Sequence, residues 1–500
     1  MKKITILEPE TDMVAVALEN IDKGTKLNIN NNNITLLSEI KRGHKFAIKK
    51  IESGENIIKY GYPIGKATSS INIGEWVHTH NMSTNLSGKL SYQYKHVVNK
   101  LKYPEKDKRI FKGYVRKNGK VGIRNDLYII PTVGCINAVL EIVLRRFEQE
   151  NPNHNFDNIV ILKHPYGCSQ LGGDFETTRK ILIDAVLHPN AGGVLLFGLG
   201  CENNQMEGVI DQLKKIEDID TNRLKFLIAQ EVKDEIENSL KLLNELNIAA
   251  KDDKRTICQL SELKIGLKCG GSDGLSGVTA NPLVGRLSDF ICSNGGSTVL
   301  TEVPEMFGAE QILMNRAKDK RTFKEVVLLI NNFKDYFESF RQPIYENPSP
   351  GNKEGGITTL EDKSLGCTQK SGYSQVNGVL KYGERIKVPG LSLLESPGND
   401  LVSSTALASS GCQMILFTTG RGTPFATYVP TVKISSNSEI YNLKPHWIDF
   451  DAGRLMNEDM DSLAESFIQF IIDIASGEKN TNNEKNKING FAIFKTGVTE

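Results

Sequence analysis

Three apolar runs, at 127–133, 158–162 and 193–199, each lead into a Gly-Cys pair: Gly134-Cys135, Gly167-Cys168 and Gly200-Cys201. Successive cysteines lie 33 residues apart, about the length of one strand and one crossover helix. Short apolar runs without alternation read as strands buried on both faces, as in a parallel sheet. Parallel strands all end on one edge, and ligands bind at that edge. The spacing therefore predicts an α/β region over 113–255, with three thiols directed toward one crevice. A second α/β region is expected over 256–500, with strands at 263–267, 297–303 and 413–417 and helices at 282–292, 311–341 and 458–476. Residues 343–400, rich in Pro and Gly, read as loop, and 477–488, rich in Asn and Lys, as a mobile loop.

The first 95 residues follow another pattern. Short apolar runs recur at 13–18, 45–48 and 56–60, and three similar turns end in Gly24, Gly54 and Gly74. Glycine stands in each where a tight turn needs positive φ. A compact β module over 1–95 is expected, with the Asn-rich 28–33 stretch as an exposed loop tip. Residues 96–112, Lys-rich and poor in apolar side chains, read as a linker. The expected fold class is α/β: a small N-terminal β domain, then two Rossmann-like α/β regions with mostly parallel sheets.

Charge narrows the function. Lys and Arg number 61 against 60 Asp and Glu, which argues against a nucleic-acid binder but leaves room for a local basic pocket. No stretch approaches the ~18 consecutive apolar residues of a membrane span, and Glu8 and Glu10 interrupt the N-terminus before an apolar signal core can form. A cytoplasmic location and no membrane partner are expected, and a homo-oligomer is left open. The eight cysteines include no CxxC pair and are expected as thiols.

Several groups carry potential chemistry. His78 and His80, two apart on a strand, would share a face and form either part of a metal site or a surface pair. His164 opens a dense His-Pro-Tyr-Gly-Cys-Ser-Gln stretch and could transfer protons, or bond the backbone. Glu202 and Asn203, Ser272 and Asp273, and Asn399 and Asp400 follow strand ends or Gly turns; each could serve a metal, a substrate hydroxyl or a helix cap. Arg421, between Gly420 and Gly422, suits a substrate carboxylate. Cys135, Cys168 and Cys201 could bind iron or zinc, or remain inert. No complete GxGxxG or GxxxxGK[ST] stretch supports a nucleotide.

Longer stretches add a resemblance. They are 120–125 (KVGIRN), 131–135 (PTVGC), 166–172 (YGCSQLG), 198–205 (GLGCENNQ), 269–277 (CGGSDGLSG), 301–310 (TEVPEMFGAE), 347–352 (NPSPGN), 420–424 (GRGTP) and 446–451 (HWIDFD). Together they resemble the altronate/galactarate dehydratase family, and the first 90 residues resemble its SAF module, a β-clip domain. The resemblance implies a small sugar-acid substrate, with D-altronate dehydrated to 2-dehydro-3-deoxy-D-gluconate in hexuronate catabolism, and dependence on Fe²⁺ or Mn²⁺. On that expectation His78 and His80 would hold the metal with Glu202 or the thiols Cys135, Cys168 and Cys201. His164 and Asp273 would act in catalysis, Arg421 would hold the substrate carboxylate, and Asn203 and Ser272 would bind hydroxyls. Alternatives are a sister dehydratase or lyase for galactarate or another 2-hydroxy acid, a thiol-ligated iron–sulfur redox protein, and a non-catalytic sugar-acid sensor.

Overall fold

The computed structural model describes residues 3–103, 107–216 and 219–499; within the 96–112 stretch, 104–106 lie outside the described residues. The N-terminal module is antiparallel. Ile4–Thr5, Val14–Ala17, Lys45–Ala47 and Trp76–Val77 form one sheet, and Asn56–Lys59, Tyr62–Ala67 and Met82–Ser83 another. Gly24, Gly54 and Gly74 take φ of 84°, 85° and 82°, as their turns require. At Gly74 a Cβ would meet the Thr35 carbonyl oxygen at 2.2 Å. The asparagines of the Asn-rich stretch are exposed, as expected, and the stretch is the tip of a hairpin. Lys26–Ile29 pairs with Asn32–Thr35, and Asn30 and Asn31 at φ 49° and 64° make the turn, a conformation Asn adopts at low cost.

Ile110–Val115 pairs antiparallel with Val121–Gly122 and with Thr256–Gln259, so strand begins inside the expected linker. Beyond it, four parallel strands run in the spatial order Ile159–Ile161, Asp126–Pro131, Ala191–Gly198, Leu224–Ile228. Side chains of a strand alternate between faces. Leu127 and Ile129 pack with Leu140, Val143 and Leu243 of the helices Asn137–Glu150 and Glu235–Ala249. Tyr128 and Ile130 share an interior with Ile181, and with Leu394, Leu407 and Ile415 from the second region. Burial on both faces explains the unbroken apolar runs.

The second sheet has seven strands, all parallel, in the order Val376–Leu380, Gly390–Leu394, Ser297–Leu300, Lys264–Cys269, Met414–Thr419, Thr431–Ser435, Phe450–Asp451. Chain order reverses direction at Lys264–Cys269 and Met414–Thr419. The carboxyl ends at such a switch form a crevice.

Three local expectations change. The helix expected over 311–341 is two, Glu310–Asn315 and Lys320–Ser339, because Asp319 caps the second by accepting from the Thr322 amide at 2.8 Å. The stretch 343–400 holds two helices, Pro350–Glu354 and Leu360–Cys367, and two of the seven strands. Leu360–Cys367 is buried all round and carries charged residues, so it shows no apolar stripe to the reader of the sequence. Within 477–488, Asn482–Lys485 forms a helical turn with a Thr481–Glu484 capping box.

Candidate active site

The strand Lys264–Cys269 delivers two reactive side chains to the switch point. Lys268 is fully buried, and its ammonium donates to the Glu302 carboxylate and, at 2.8 Å, to Asp400 Oδ1. Glu302 follows the neighbouring strand and takes a left-handed backbone, φ 67° and ψ 65°. For a buried non-glycine residue this is strain. The Lys268 contact and the Cys269 amide, which donates to Glu302 Oε2 at 3.0 Å, hold it there. The chain then turns through Pro304, which opens a short helical turn and aims Glu305 inward.

Glu305 meets two thiols. Cys269 Sγ lies 3.0 Å and Cys367 Sγ 3.2 Å from Glu305 Oε2, and the sulfurs are 3.4 Å apart. Lys363 pairs with Glu305 Oε1 at 2.8 Å. Cys367 and Lys363 sit one turn apart on Leu360–Cys367, and Lys370 follows on the next turn. Thr359 caps this helix, and its acidic first turn is anchored on the N-terminal module. Asp362 takes Lys45 at 2.8 Å and Lys59 at 2.9 Å, and Glu361 accepts from the Thr84 hydroxyl and the Asn85 amide.

The electrostatics ionise Cys269 and Glu305 and leave the proton on Cys367. The hydrogen bond from Cys367, helped by the Lys370 and Lys363 ammoniums, draws the Cys269 thiol down to about 6 against its burial. The same hydrogen bond and burial push the Cys367 thiol well up. Burial works to raise the Glu305 carboxyl, but Lys363, Lys268 and Lys370 outweigh it and hold it well below the usual range. Burial and the negative groups Cys269 and Glu305 push Glu302 up against the pull of Lys268. Among the described residues, Cys269, Glu305 and Cys367 are the one group of His, Cys, Asp or Glu whose ligand atoms lie close enough to share an ion. Two sulfurs and a carboxylate fit a borderline-soft divalent ion. An open cleft of about 500 Å³ reaches this group, lined also by Asn347, Asn352, Lys363 and Asp400.

The residues singled out from the sequence divide between two places. Arg421, Asp273, Ser272 and His78 surround the segment 347–356 at the cleft. Arg421 is half-exposed and pairs with Glu354 at 3.1 Å. The Ser272 carbonyl accepts from Asn352 Nδ2 at 2.7 Å, and its buried hydroxyl has no partner. Asp273 accepts from Ser276, Ser436 and Asn437 and binds these loops together. His78 donates to the Lys353 carbonyl at 2.9 Å. It lies beyond the end of Trp76–Val77, so strand alternation no longer applies. His78 instead stacks on Trp76 and exposed His80 lies tilted against it, each with ring centroids 4.9 Å away. Burial lowers His78 to about 4.

His164, Glu202, Asn203 and the thiols Cys135, Cys168 and Cys201 lie at the carboxyl edge of the first sheet. The expected pairing of His78 and His80 with Glu202 does not assemble. The Glu202 carboxylate is buried and takes the Thr132 hydroxyl and the Leu199 and Gly200 amides. His164 is buried with both ring nitrogens committed: Nε2 donates to the Pro131 carbonyl at 2.9 Å and Nδ1 accepts from the Tyr166 amide at 3.1 Å. No lone pair remains for a substrate proton, and burial lowers its pKa to about 4. Lys268, Glu302, Glu305, Lys363, Cys367 and Lys370 do not stand out as site residues in the sequence. One signal was available: Lys363, Cys367 and Lys370 follow i, i+4, i+7 spacing, one face of a helix.

Comparison with known proteins agrees with this layout. Family models match at residues 3–85 (altronate/galactarate dehydratase SAF domain), 113–251 (D-galactarate dehydratase/altronate hydrolase, second domain) and 260–499 (D-galactarate/altronate dehydratase, C-terminal). The chain is 55% identical to an altronate dehydratase of Bacillus subtilis and 53% to one of Escherichia coli, over 98% of each chain. It is 31% identical to the galactarate dehydratase (L-threo-forming) of Escherichia coli, over 97% of this chain and 95% of that one. The chain belongs to the D-galactarate/altronate dehydratase family.

Proposed function

We propose that this protein is a hydro-lyase that converts D-altronate to 2-dehydro-3-deoxy-D-gluconate and water. The observation that carries this reading is whole-length identity with two altronate dehydratases, far above that with the galactarate dehydratase. The reaction takes the proton from C2 and the hydroxyl from C3. The C2–H electron pair becomes the C2–C3 double bond, the C3–O pair leaves with a proton as water, and the enol takes a proton at C3 to give the ketone. Removing the C2 proton beside a carboxylate builds a second negative charge, so positive groups fixed in a dry site lower the barrier. Lys363 and Lys370 are such groups. Asp400, on the cleft wall with Lys268 behind it, is placed to accept the C2 proton. Arg421 at the rim would exchange Glu354 for the substrate carboxylate. A divalent ion on Cys269, Glu305 and Cys367 would supply Lewis acidity toward the substrate oxygens, and the two sulfurs favour Fe²⁺ over Mn²⁺.

The test is anaerobic incubation of the purified protein with D-altronate or galactarate, with and without Fe²⁺ or Mn²⁺, and assay of the 2-keto-3-deoxy acid formed. Metal-stimulated product from altronate, far faster than from galactarate, is expected. Faster turnover of galactarate would overturn the substrate assignment. Asp400→Asn should lower kcat at least 100-fold with KM little changed; a wild-type kcat would remove Asp400 from the proton step.

A further inference from the structure

We infer that the carboxyl edge of the first parallel sheet is a second metal centre, an iron–sulfur cluster held by Cys135, Cys168 and Cys201. The loops that carry these cysteines follow adjacent strands and interlock. The Gly134 amide donates to the Tyr166 carbonyl at 2.8 Å, and Gly167, at φ 102°, lies so close to Thr132 that a Cβ would meet its carbonyl oxygen at 2.0 Å. On the other side the Asn204 amide donates to the Gly167 carbonyl at 3.0 Å, and the Ser169 amide donates to Asn203 Oδ1 at 2.8 Å. The Cys168 loop therefore touches both the others. Ser169, next to Cys168, is held at φ 56°, a backbone that costs a non-glycine residue energy.

All three thiols are exposed, whereas Cys258, Cys269, Cys367 and Cys412 are buried. Free cysteine ordinarily buries as a small hydrophobe, so three exposed on one edge depart from its usual placement. Two of the sulfurs already accept hydrogen bonds, Cys201 from Gln230 Nε2 at 3.7 Å and Cys168 from the Ser169 hydroxyl at 3.9 Å, as cluster thiolates do. Three residues after Cys201, Asn204 Nδ2 is buried without a partner, while its Oδ1 accepts from Arg179 Nε at 3.0 Å. The Glu202 carboxylate is buried on Thr132 and the Leu199 and Gly200 amides, so the three exposed sulfurs form the donor set, one suited to iron–sulfur chemistry.

Spacing argues against a single ion. Thiolates on one tetrahedral ion sit about 3.8 Å apart, given metal–sulfur bonds near 2.3 Å. These three are not among the described groups whose ligand atoms lie within 4.8 Å of one another, whereas a polynuclear cluster holds its thiolates farther apart than one ion does. No fourth cysteine belongs to these loops, so one iron would face solvent, open to a hydroxyl or carboxylate oxygen.

The experiment uses the full chain, reconstituted anaerobically with Fe²⁺ and sulfide. It reads visible absorbance, iron and acid-labile sulfide for wild type, for Cys135→Ser/Cys168→Ser/Cys201→Ser, and for Cys269→Ser/Cys367→Ser. We expect about four iron and four sulfide per chain in wild type, the same sulfide in the Cys269/Cys367 variant, and at least a fourfold loss of sulfide in the triple variant. Alkylation of reconstituted and metal-free wild type, read by mass spectrometry, covers a triple variant that fails to fold: the cluster should protect these three thiols at least tenfold. Wild type without acid-labile sulfide, sulfide retained in a folded triple variant, or equal alkylation with and without iron and sulfide would overturn the proposal. Loss of sulfide in the Cys269/Cys367 variant alone would place the cluster at the candidate active site and overturn it too. Altronate turnover is read separately, so a failed cluster and a failed dehydratase assignment are distinguishable.

Discussion

Glu302 keeps a left-handed backbone because its carboxylate sits between the Lys268 ammonium and the Cys269 amide. Glu302→Gly should relieve the backbone but leave Lys268 with Asp400 as its remaining carboxylate partner. Cys269 gives the clearest pH dependence. Metal binds the thiolate, and the thiol titrates at about 6. Cys367, whose thiol is pushed well up, must also lose its proton to bind, so divalent-ion affinity should rise about tenfold per unit across pH 7–8 and fall more steeply, about a hundredfold per unit, below 6. Co²⁺ titration by absorbance from pH 5 to 8 checks this, and Cys269→Ser should roughly halve the thiolate absorption, since Cys367 remains. The buried histidines act on stability instead. His164 titrates at about 4 and His188 at about 3 in the folded chain, against 6.5 when unfolded. As pH falls below 6.5 the unfolded chain takes these protons first, so stability declines through that window. Each tenfold difference in proton affinity between the folded and unfolded chain is worth ~1.4 kcal/mol. Urea midpoints at pH 7 and pH 5 should differ clearly in wild type and less in His188→Gln.

The helix Leu360–Cys367 is the element on which the candidate site depends. One end carries Glu361 and Asp362 to the N-terminal module; the other carries Lys363 and Cys367 to Glu305. Asp362 is buried between Lys45 and Lys59, and its partners hold it far below the ordinary carboxylate range against its burial. Breaking a buried ion group by removing one partner costs about 3–5 kcal/mol. Asp362→Asn should therefore lower Tm by several degrees and also reduce kcat, since the helix that positions Cys367 loses its anchor. A lower Tm with full kcat would show that the module stabilises the helix without setting the site. The sequence hid this element because its charges are satisfied by residues about 280–320 positions away, such as Thr84, Lys59 and Lys45, and hydrophobic periodicity reports nothing about such pairs. The strand runs at 127–133 and 193–199 were legible for the opposite reason: both faces are apolar.

The two parallel sheets share one interior, in which Tyr128 and Leu196 of the first lie with Leu394 and Ile415 of the second. The C-terminal segment returns to the first region, where the Thr496 and Gly497 amides donate to Asp174. A shared core predicts cooperative unfolding. The two tryptophans report on different parts: Trp76 lies in the N-terminal module and Trp447 beside Gly422 in the second region. Urea transitions followed by Trp76 fluorescence in Trp447→Phe, by Trp447 fluorescence in Trp76→Phe, and by circular dichroism should coincide. A separate early transition for Trp76 would show that the module unfolds by itself.

The sequence alone determined the alternation of strands and helices, the β module and its glycine turns, the gathering of Gly-Cys loops on one sheet edge, and the family. These rest on local or repeating properties: apolar runs, turn residues, spacing along the chain. Tertiary structure decided which reactive groups meet. Cys269, Glu305 and Cys367 stand 36 and 62 residues apart in sequence, and only the switch in strand order, with a buried helix held by a separate module, brings them into contact. It also commits both ring nitrogens of His164 to backbone groups, and the Glu202 carboxylate, expected at a metal, to Thr132 and the Leu199 and Gly200 amides. Composition cannot show which polar atoms are already spent.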